Sequence, residues 1–202
     1  MDKYIDIIKT KIDNFTLNYV FISKDFIDEV DYETVRKSLN RLAEKNEIKK
    51  ISRGYYYKPI YMPIIDDYSK PDVDSYCKAI GRNMNWKIFP TGNTALNVFG
   101  LSTQVPANYS YISSGRTCRY ELDDIKIDFI HRSSRETDFS FISGTVIQAL
   151  KAIGQHNITD ELLKRLGKRL SDEDKKNIIF ETKRSSAWIF EAVKKICKEL
   201  NI

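Results

Sequence analysis

Apolar positions recur at helical spacing from the first residues of the chain. Ile5, Ile8 and Ile12, spaced by three and four, predict an amphipathic helix over Asp2 to Asn14. The run Val20, Phe21 and Ile22 reads as a brief strand, and Ser23 as the cap of a second helix carrying Phe26, Ile27 and Val30. Asp31 then caps a third helix, and Glu33 puts negative charge in its first turn, where the helix dipole favours it. Val35, Leu39 and Leu42 form the apolar stripe of that helix. Its opposite face carries Glu33, Lys37, Asn40 and Glu44, flanked by Thr34 and Arg41 on one side and Arg36 on the other. Asn46 stands where the helix must stop, because Asn tolerates the left-handed backbone of a helix end. Ile48 to Ser52 and Tyr55 to Lys58 predict two short strands joined across Arg53-Gly54.

Pro59 and Pro63 make the stretch to Tyr68 extended and linker-like, since proline suits neither a continuing helix nor a central strand. A boundary placed there divides the chain into residues 1–62 and 63–202. Ser69-Lys70-Pro71 opens a further helix whose buried side is Val73, Tyr76, Cys77, Ile80 and Met84. Trp86 to Pro90 is strand-like, and Thr91 caps a short helix with Ala95, Leu96 and Phe99 on its inner face and Gly100 at its end. After the polar loop of Ser102, Thr103 and Gln104 comes a strand over Tyr109 to Ile112. Arg116 to Leu122 and Ile125 to His131 then form an antiparallel hairpin around Asp123-Asp124. Helices follow over Phe141 to Ile153, Asp160 to Leu170 after Thr159, Asp172 to Lys183 behind a Ser171/Asp174 capping box, and from about Ser186 onward. The expected class is α+β: an N-terminal winged helix-turn-helix, then a mixed α/β domain with a small antiparallel sheet and C-terminal helices.

Charge sharpens the first part of this reading. Between Tyr32 and Lys58 the bases Arg36, Lys37, Arg41, Lys45, Lys49, Lys50, Arg53 and Lys58 face only Glu33, Glu44 and Glu47, whereas the residues before Tyr32 are biased towards acids. A charged helix face on its own is usually just a solvated face. Helix, stop and acid-free hairpin in succession instead suit a winged helix-turn-helix, whose second helix enters the major groove of DNA while a ribbon touches the backbone.

The whole chain, 202 residues with a formal charge of +5, has 42% hydrophobic and 30% charged residues, the profile of a soluble globular protein with an acidic partner mildly favoured. It has no membrane-length apolar run and no signal pattern at Met1-Asp2-Lys3, so a cytoplasmic location is expected. Cys77, Cys118 and Cys197 are far apart, and His131 and His156 lack ligand spacing. No metal site, cofactor or disulfide is expected.

Three stretches together carry a family resemblance: TVRKSLNRLAEKNEIKKISRGYYYKP, then PTGNTALNVFGLSTQVPANYSYISSGR, then DIKIDFIHRS. With helices on either side, they resemble the AbiEi-type antitoxins of bacterial abortive-infection, type IV toxin-antitoxin systems. The stretch from Pro90 to Pro106 is the most particular part. The resemblance implies an N-terminal winged helix-turn-helix that represses its own operon at inverted repeats of double-stranded DNA; a monomer or weak dimer is expected, since a winged helix meets paired half-sites either as two monomers or as one dimer. It also implies a C-terminal antitoxin domain that counteracts a nucleotidyltransferase-like toxin, usually without a stable complex. Carried onto this chain, DNA contact falls on Thr34, Arg36, Lys37, Asn40 and Arg41 of the helix and on Lys50 and Arg53 of the hairpin. The antitoxin role falls on the domain containing Pro90, Gly92, Leu96, Gly100, Ser102, Gln104, Gly115 and Arg116. Asn46 is one departure, standing where such domains commonly have Gly.

Two other readings compete with a DNA-binding antitoxin. One is a module that binds the toxin directly, with the winged helix purely structural. The other is an enzyme acting on the toxin or its substrate. For it, Ser113-Ser114-Gly115-Arg116 with Asp123, Asp124 and Asp128 would have to form a nucleotidyltransferase site, or Asp124, Lys126 and Asp128 a nuclease site. The first has glycine and serine in the reverse order and its carboxylates lack the D-x-D arrangement, and the second lacks an acid. Asp123-Asp124 reads more simply as a turn, and the chain is expected not to be an enzyme.

Overall fold

The computed structural model describes residues 2–103 and 108–198, an α+β protein in two compact units, Met1–Trp86 and Lys87–Ile202. The first unit runs α1 (Asp2–Asp13), β1 (Val20–Ile22), a 3-10 turn (Ser23–Phe26), α2 (Tyr32–Glu44), β2 (Lys49–Ser52), β3 (Tyr55–Tyr57), β4 (Tyr61–Met62), β5 (Asp67–Tyr68) and α3 (Val73–Met84). Asp31 caps α2 as expected, its side chain accepting from Thr34 N at 3.0 Å. At the other end Asn46 adopts φ 58°. Glu47 N donates to Leu42 O and Asn46 N to Ala43 O, each at 3.0 Å, so the left-handed residue satisfies two of the last carbonyls. Val35, Leu39 and Leu42 are fully buried against Ile8, Ile12, Phe21, Phe26, Ile48 and Tyr56. Each such aliphatic contributes on the order of 2 kcal/mol by leaving water.

The sheet order is β1-β3-β2, all antiparallel, so β3 is central and its three tyrosines are all buried. Tyr56 stacks on Phe21 on the side of the α1–α2 core. Tyr55 points the other way, edge-on to Tyr76 of α3 at 5.4 Å. Helix α3 is tied to this sheet by Ser75 Oγ, which accepts from Val20 N at 2.7 Å, and by Arg82, which donates to both carboxylate oxygens of Asp25 and to Val20 O. The boundary expected after residue 62 therefore falls inside the first unit. Without α3, one face of the sheet would be bare.

Three further local expectations change. Asp25 accepts from Ile22 N, and the second helix is reduced to a single 3-10 turn with no side-chain cap from Ser23; Ile27 is 50% exposed. The stretch read as a linker is a small ribbon: Tyr61 pairs with Tyr68 and Met62 with Asp67, and Asp66 takes φ 48° in the turn. Helix α3 starts later than expected, at Val73, capped by Asp72.

The second unit contains β6 (Ile88–Pro90), α4 (Asn93–Val98), β7 (Asn108–Ser113), β8 (Cys118–Leu122) and β9 (Ile125–His131). It continues with α5 (Ser134–Thr137), α6 (Phe141–Ile153), α7 (Asp160–Gly167), α8 (Asp172–Thr182) and α9 (Ala187–Ile196). The expected β8–β9 hairpin is present, with Asp123 at φ 52° in its turn. The sheet order is β6-β7-β9-β8, and β7 runs parallel to β9, which makes the sheet mixed rather than purely antiparallel. Helix α6 lies close on β6: a Cβ added at Gly144 would come 2.4 Å from the Phe89 ring. The core joins Ala95 of α4 and Phe99 just after it to Val146, Leu150, Leu163, Leu166, Ile178 and Val193 of the later helices. Thr159 and the Ser171/Asp174 box cap α7 and α8 as expected. No helix among the described residues is long and apolar enough to cross a membrane.

Candidate nucleic-acid interface

Helix α2 presents its residues by the ~100° per residue of an α-helix. Tyr32, Arg36 and Asn40, four apart, therefore climb one shoulder of its exposed face. That shoulder meets the β2–β3 hairpin across a cavity of about 700 Å³, also lined by Lys24, Lys50, Ser52 and Arg53. The pairing of β2 with β3 shifts register between Lys50 and Ser52, and Gly54 takes φ 88° at the tip, so the ribbon bends around the cavity wall. Four cations contributed by the 3-10 turn, α2 and the hairpin line this groove, and no carboxylate among the described residues does.

Each cation is held differently. Arg36 donates to Glu33 through Nε (3.2 Å) and Nη2 (2.8 Å), an exposed pair that raises the arginine pKa and lowers that of Glu33. Such a pair contributes little in water and is readily exchanged for a stronger anion. Lys24 Nζ donates to Asn83 O at 2.6 Å. Lys50 Nζ lies 6.0 Å from the centre of the Tyr56 ring. Arg53 has no ion pair among the described residues. Asn40 is half-buried, its Oδ1 accepting from the buried Tyr56 hydroxyl at 2.9 Å; burial raises the pKa of that phenol. With its oxygen held from below, the amide is aimed by the sheet rather than free to rotate. A row of cations on two facing walls, with a fixed amide between them, suits a polyanion bearing hydrogen-bonding edges.

Of the residues expected to touch DNA, the structure thus brings together Arg36, Asn40, Lys50 and Arg53. Lys37 and Arg41 are exposed on α2 outside the groove, Arg41 about 140° around the helix from Arg36. Thr34 is committed to the helix start, where its hydrogen bonds hold the Asp31 carboxyl below the usual range. Of the other hairpin bases, Lys49 lies over the Tyr68 ring at 4.4 Å and Lys58 pairs with Asp13. Sequence reasoning missed Lys24 and Asn83. Only the fold brings the start of the 3-10 turn and the end of α3 to this groove, though a lysine straight after a predicted cap was a weak signal.

The family model that matches this chain, over residues 7–178, is that of a family of unknown function, DUF6088. The chain belongs to DUF6088. The match runs from α1 into α8 and so includes every groove residue named above. No curated protein matches this DUF6088 chain in sequence.

In the second unit of the DUF6088 chain, the residues attributed to the antitoxin motif have structural places. Pro90 ends β6, and Gly92, at φ 57°, is the residue before α4; it takes the capping position expected of Thr91, whose hydroxyl instead donates to Gln148 Oε1 at 3.1 Å. Gly100, at φ 62°, closes α4: its N–H reaches Asn97 O, and Leu101 N reaches Leu96 O at 2.9 Å, with Leu96 and Leu101 both packed on the core. Arg165 donates to Gly100 O at 2.9 Å. Ser102 is half-buried, and Gln104 lies outside the described residues. Gly115 and Arg116 follow the far end of β7, where the Gly115 carbonyl accepts from the His131 ring at 2.7 Å. The described residues of the motif are therefore split between the two ends of one strand and do not converge on a single pocket. Asp128, central to an enzymatic reading, is gripped by Arg119 at 2.7 and 3.1 Å, which lowers its pKa. No group of three His, Cys, Asp or Glu among the described residues could hold a metal ion.

Proposed function

We propose that the first unit is a winged helix-turn-helix that binds double-stranded DNA, with α2 in the major groove and the β2–β3 hairpin as the wing along the phosphates. The observation that carries this reading is the groove lined by Lys24, Arg36, Lys50 and Arg53, with no carboxylate among its described residues. The order helix, strand, turn, helix, hairpin, with β1 added to the hairpin, supports it. The wide angle between Arg36 and Arg41 fits it as well, because a helix lying in a major groove meets both walls; Lys37 stands between them. Asn40, its oxygen held by Tyr56, offers Nδ2–H to a base-edge acceptor.

On the sequence resemblance, the biological setting we propose is that of an antitoxin and autorepressor opposing a nucleotidyltransferase-like toxin, with neutralisation assigned to the second unit. No catalytic step belongs to this reading. The test is fluorescence anisotropy with the duplex upstream of the chain's own gene, over a salt series. R36A/R53A is expected to weaken binding by about tenfold or more and to lower the salt slope by roughly one for each phosphate that is no longer neutralised. Equal affinity and slope for the variant and the parent would remove the reading.

A further inference from the structure

The second unit has a recess of its own, about 960 Å³, between α5, the segment leading into α6 and the C-terminal end of α8. Its lining includes Lys87, Arg135, Lys183 and Arg184, against Asp138 and Glu181. Both acids are committed within the fold. Asp138 accepts from Lys87 Nζ at 2.6 Å. Glu181 accepts from Ser140 N and Ser140 Oγ, both at 3.0 Å, at the start of α6. None of Arg135, Lys183 and Arg184 forms an ion pair with a carboxylate among the described residues; the Asp138 pKa is lowered by its bond to Lys87 and, less, by the charge of Arg184.

Beside them stands Phe180, 71% exposed. A phenyl ring so placed adds nothing to the core of the unit, and the ammonium of Lys183 lies 5.4 Å from its centre. An acidic peptide would use the cations but has no need of an open ring. An apolar ligand would use the ring but would leave three cations unanswered. An aromatic plane next to unpaired guanidinium groups answers both parts of a nucleotide, its base by stacking and its phosphate by forked hydrogen bonds.

We infer that this recess binds a nucleoside phosphate, with the base on Phe180 and the phosphate between Arg135 and Arg184. The volume lies within the range of small-ligand sites, and the recess is open enough for the nucleotide to be free or part of a single strand. The inference shares no residue with the groove of the first unit and stands apart from the DNA reading.

The test uses the full chain in the R36A/R53A background, so that the contribution of the first groove is reduced. The probes are ATP and a short 2-aminopurine-containing single-stranded DNA, with pyrophosphate as competitor. Both probes are expected to compete for one site, and the tighter of them identifies the source of the nucleotide. Phe180→Ala and Phe180→Leu are each expected to weaken binding by about tenfold, the usual scale of base–aromatic stacking, while pyrophosphate binding is unchanged. Arg135→Ala/Arg184→Ala is expected to weaken all three ligands. Because Phe180 is exposed, its variants should keep the parent's thermal melt. Absence of binding by both probes, or parental affinity in the Phe180→Leu or Arg135→Ala/Arg184→Ala variant, would overturn the inference.

Discussion

At the scale of single residues, a few positions satisfy the backbone groups left over at helix ends. Asn46 is the clearest. At φ 58° it ends α2 and sets the direction in which the hairpin leaves, so the groove's two walls depend on one left-handed residue. That conformation costs most L-residues about 1 kcal/mol, Asn less and glycine essentially nothing. Asn46→Gly should therefore be as stable as the parent or slightly more so, while Asn46→Ala should lose about 1 kcal/mol. Urea unfolding midpoints check this, and an alanine variant equal to the parent would refute the capping role. The position was legible in the sequence, because a polar residue that tolerates positive φ followed a complete apolar stripe. The roles of Thr34 and Thr91 were not. Both are good capping or contact residues by type, and only the geometry shows Thr34 serving the Asp31 cap and Thr91 bonded to Gln148.

At the scale of elements, what could be read was whatever local periodicity decides. Helix α6 spans the expected Phe141–Ile153, and β1, the hairpin and the helix caps at Asp31, Thr159 and Ser171 stand where spacing and side-chain chemistry put them. What failed depends on partners distant in sequence. The second helix shrank to one turn beside an Asp25 that Arg82 holds from another helix. Pro59 and Pro63 suggested a linker, but Ser69 closes the ribbon, its N–H donating to Ile60 O at 2.7 Å and its Oγ accepting from Ile60 N at 2.8 Å. The parallel pairing of β7 with β9 leaves no local signature at all. The same logic predicts where the first unit can be cut. A fragment of residues 1–86 should melt cooperatively by circular dichroism. A fragment of residues 1–62 should not, because it exposes Tyr55 and lacks the Arg82–Asp25 and Ser75–Val20 bonds. Cooperative melting of the shorter fragment would show that α3 is dispensable.

At the scale of the whole molecule, the formal charge of +5 says little until its distribution is known. The fold gathers cations from distant parts of the sequence into the groove between α2 and the hairpin, and others into the recess beside Phe180. Many other surface charges are answered locally, as in the Lys9–Glu47, Lys11–Glu29 and Lys78–Asp74 pairs. Charge that faces a concave surface unpaired, or paired only with an exposed partner as Arg36 is with Glu33, is what a polyanion can use; paired charge on a convex one is mostly solvation. Half of the first surface was visible in the sequence, as a basic helix and a basic ribbon. The contribution of Lys24 required the assembled unit, whereas the separation of Arg36 from Arg41 was already set by helical spacing.

The central claim is that duplex DNA lies in the groove between α2 and the β2–β3 hairpin. Hydrogen–deuterium exchange on the full chain, with and without its own promoter duplex, tests it most directly. Added protection is expected in the peptides covering Tyr32–Glu44 and Lys49–Tyr57 and, with the duplex held near the parent's Kd, should be clearly reduced in R36A/R53A. Protection confined to other peptides, or undiminished protection in that variant, would contradict the claim.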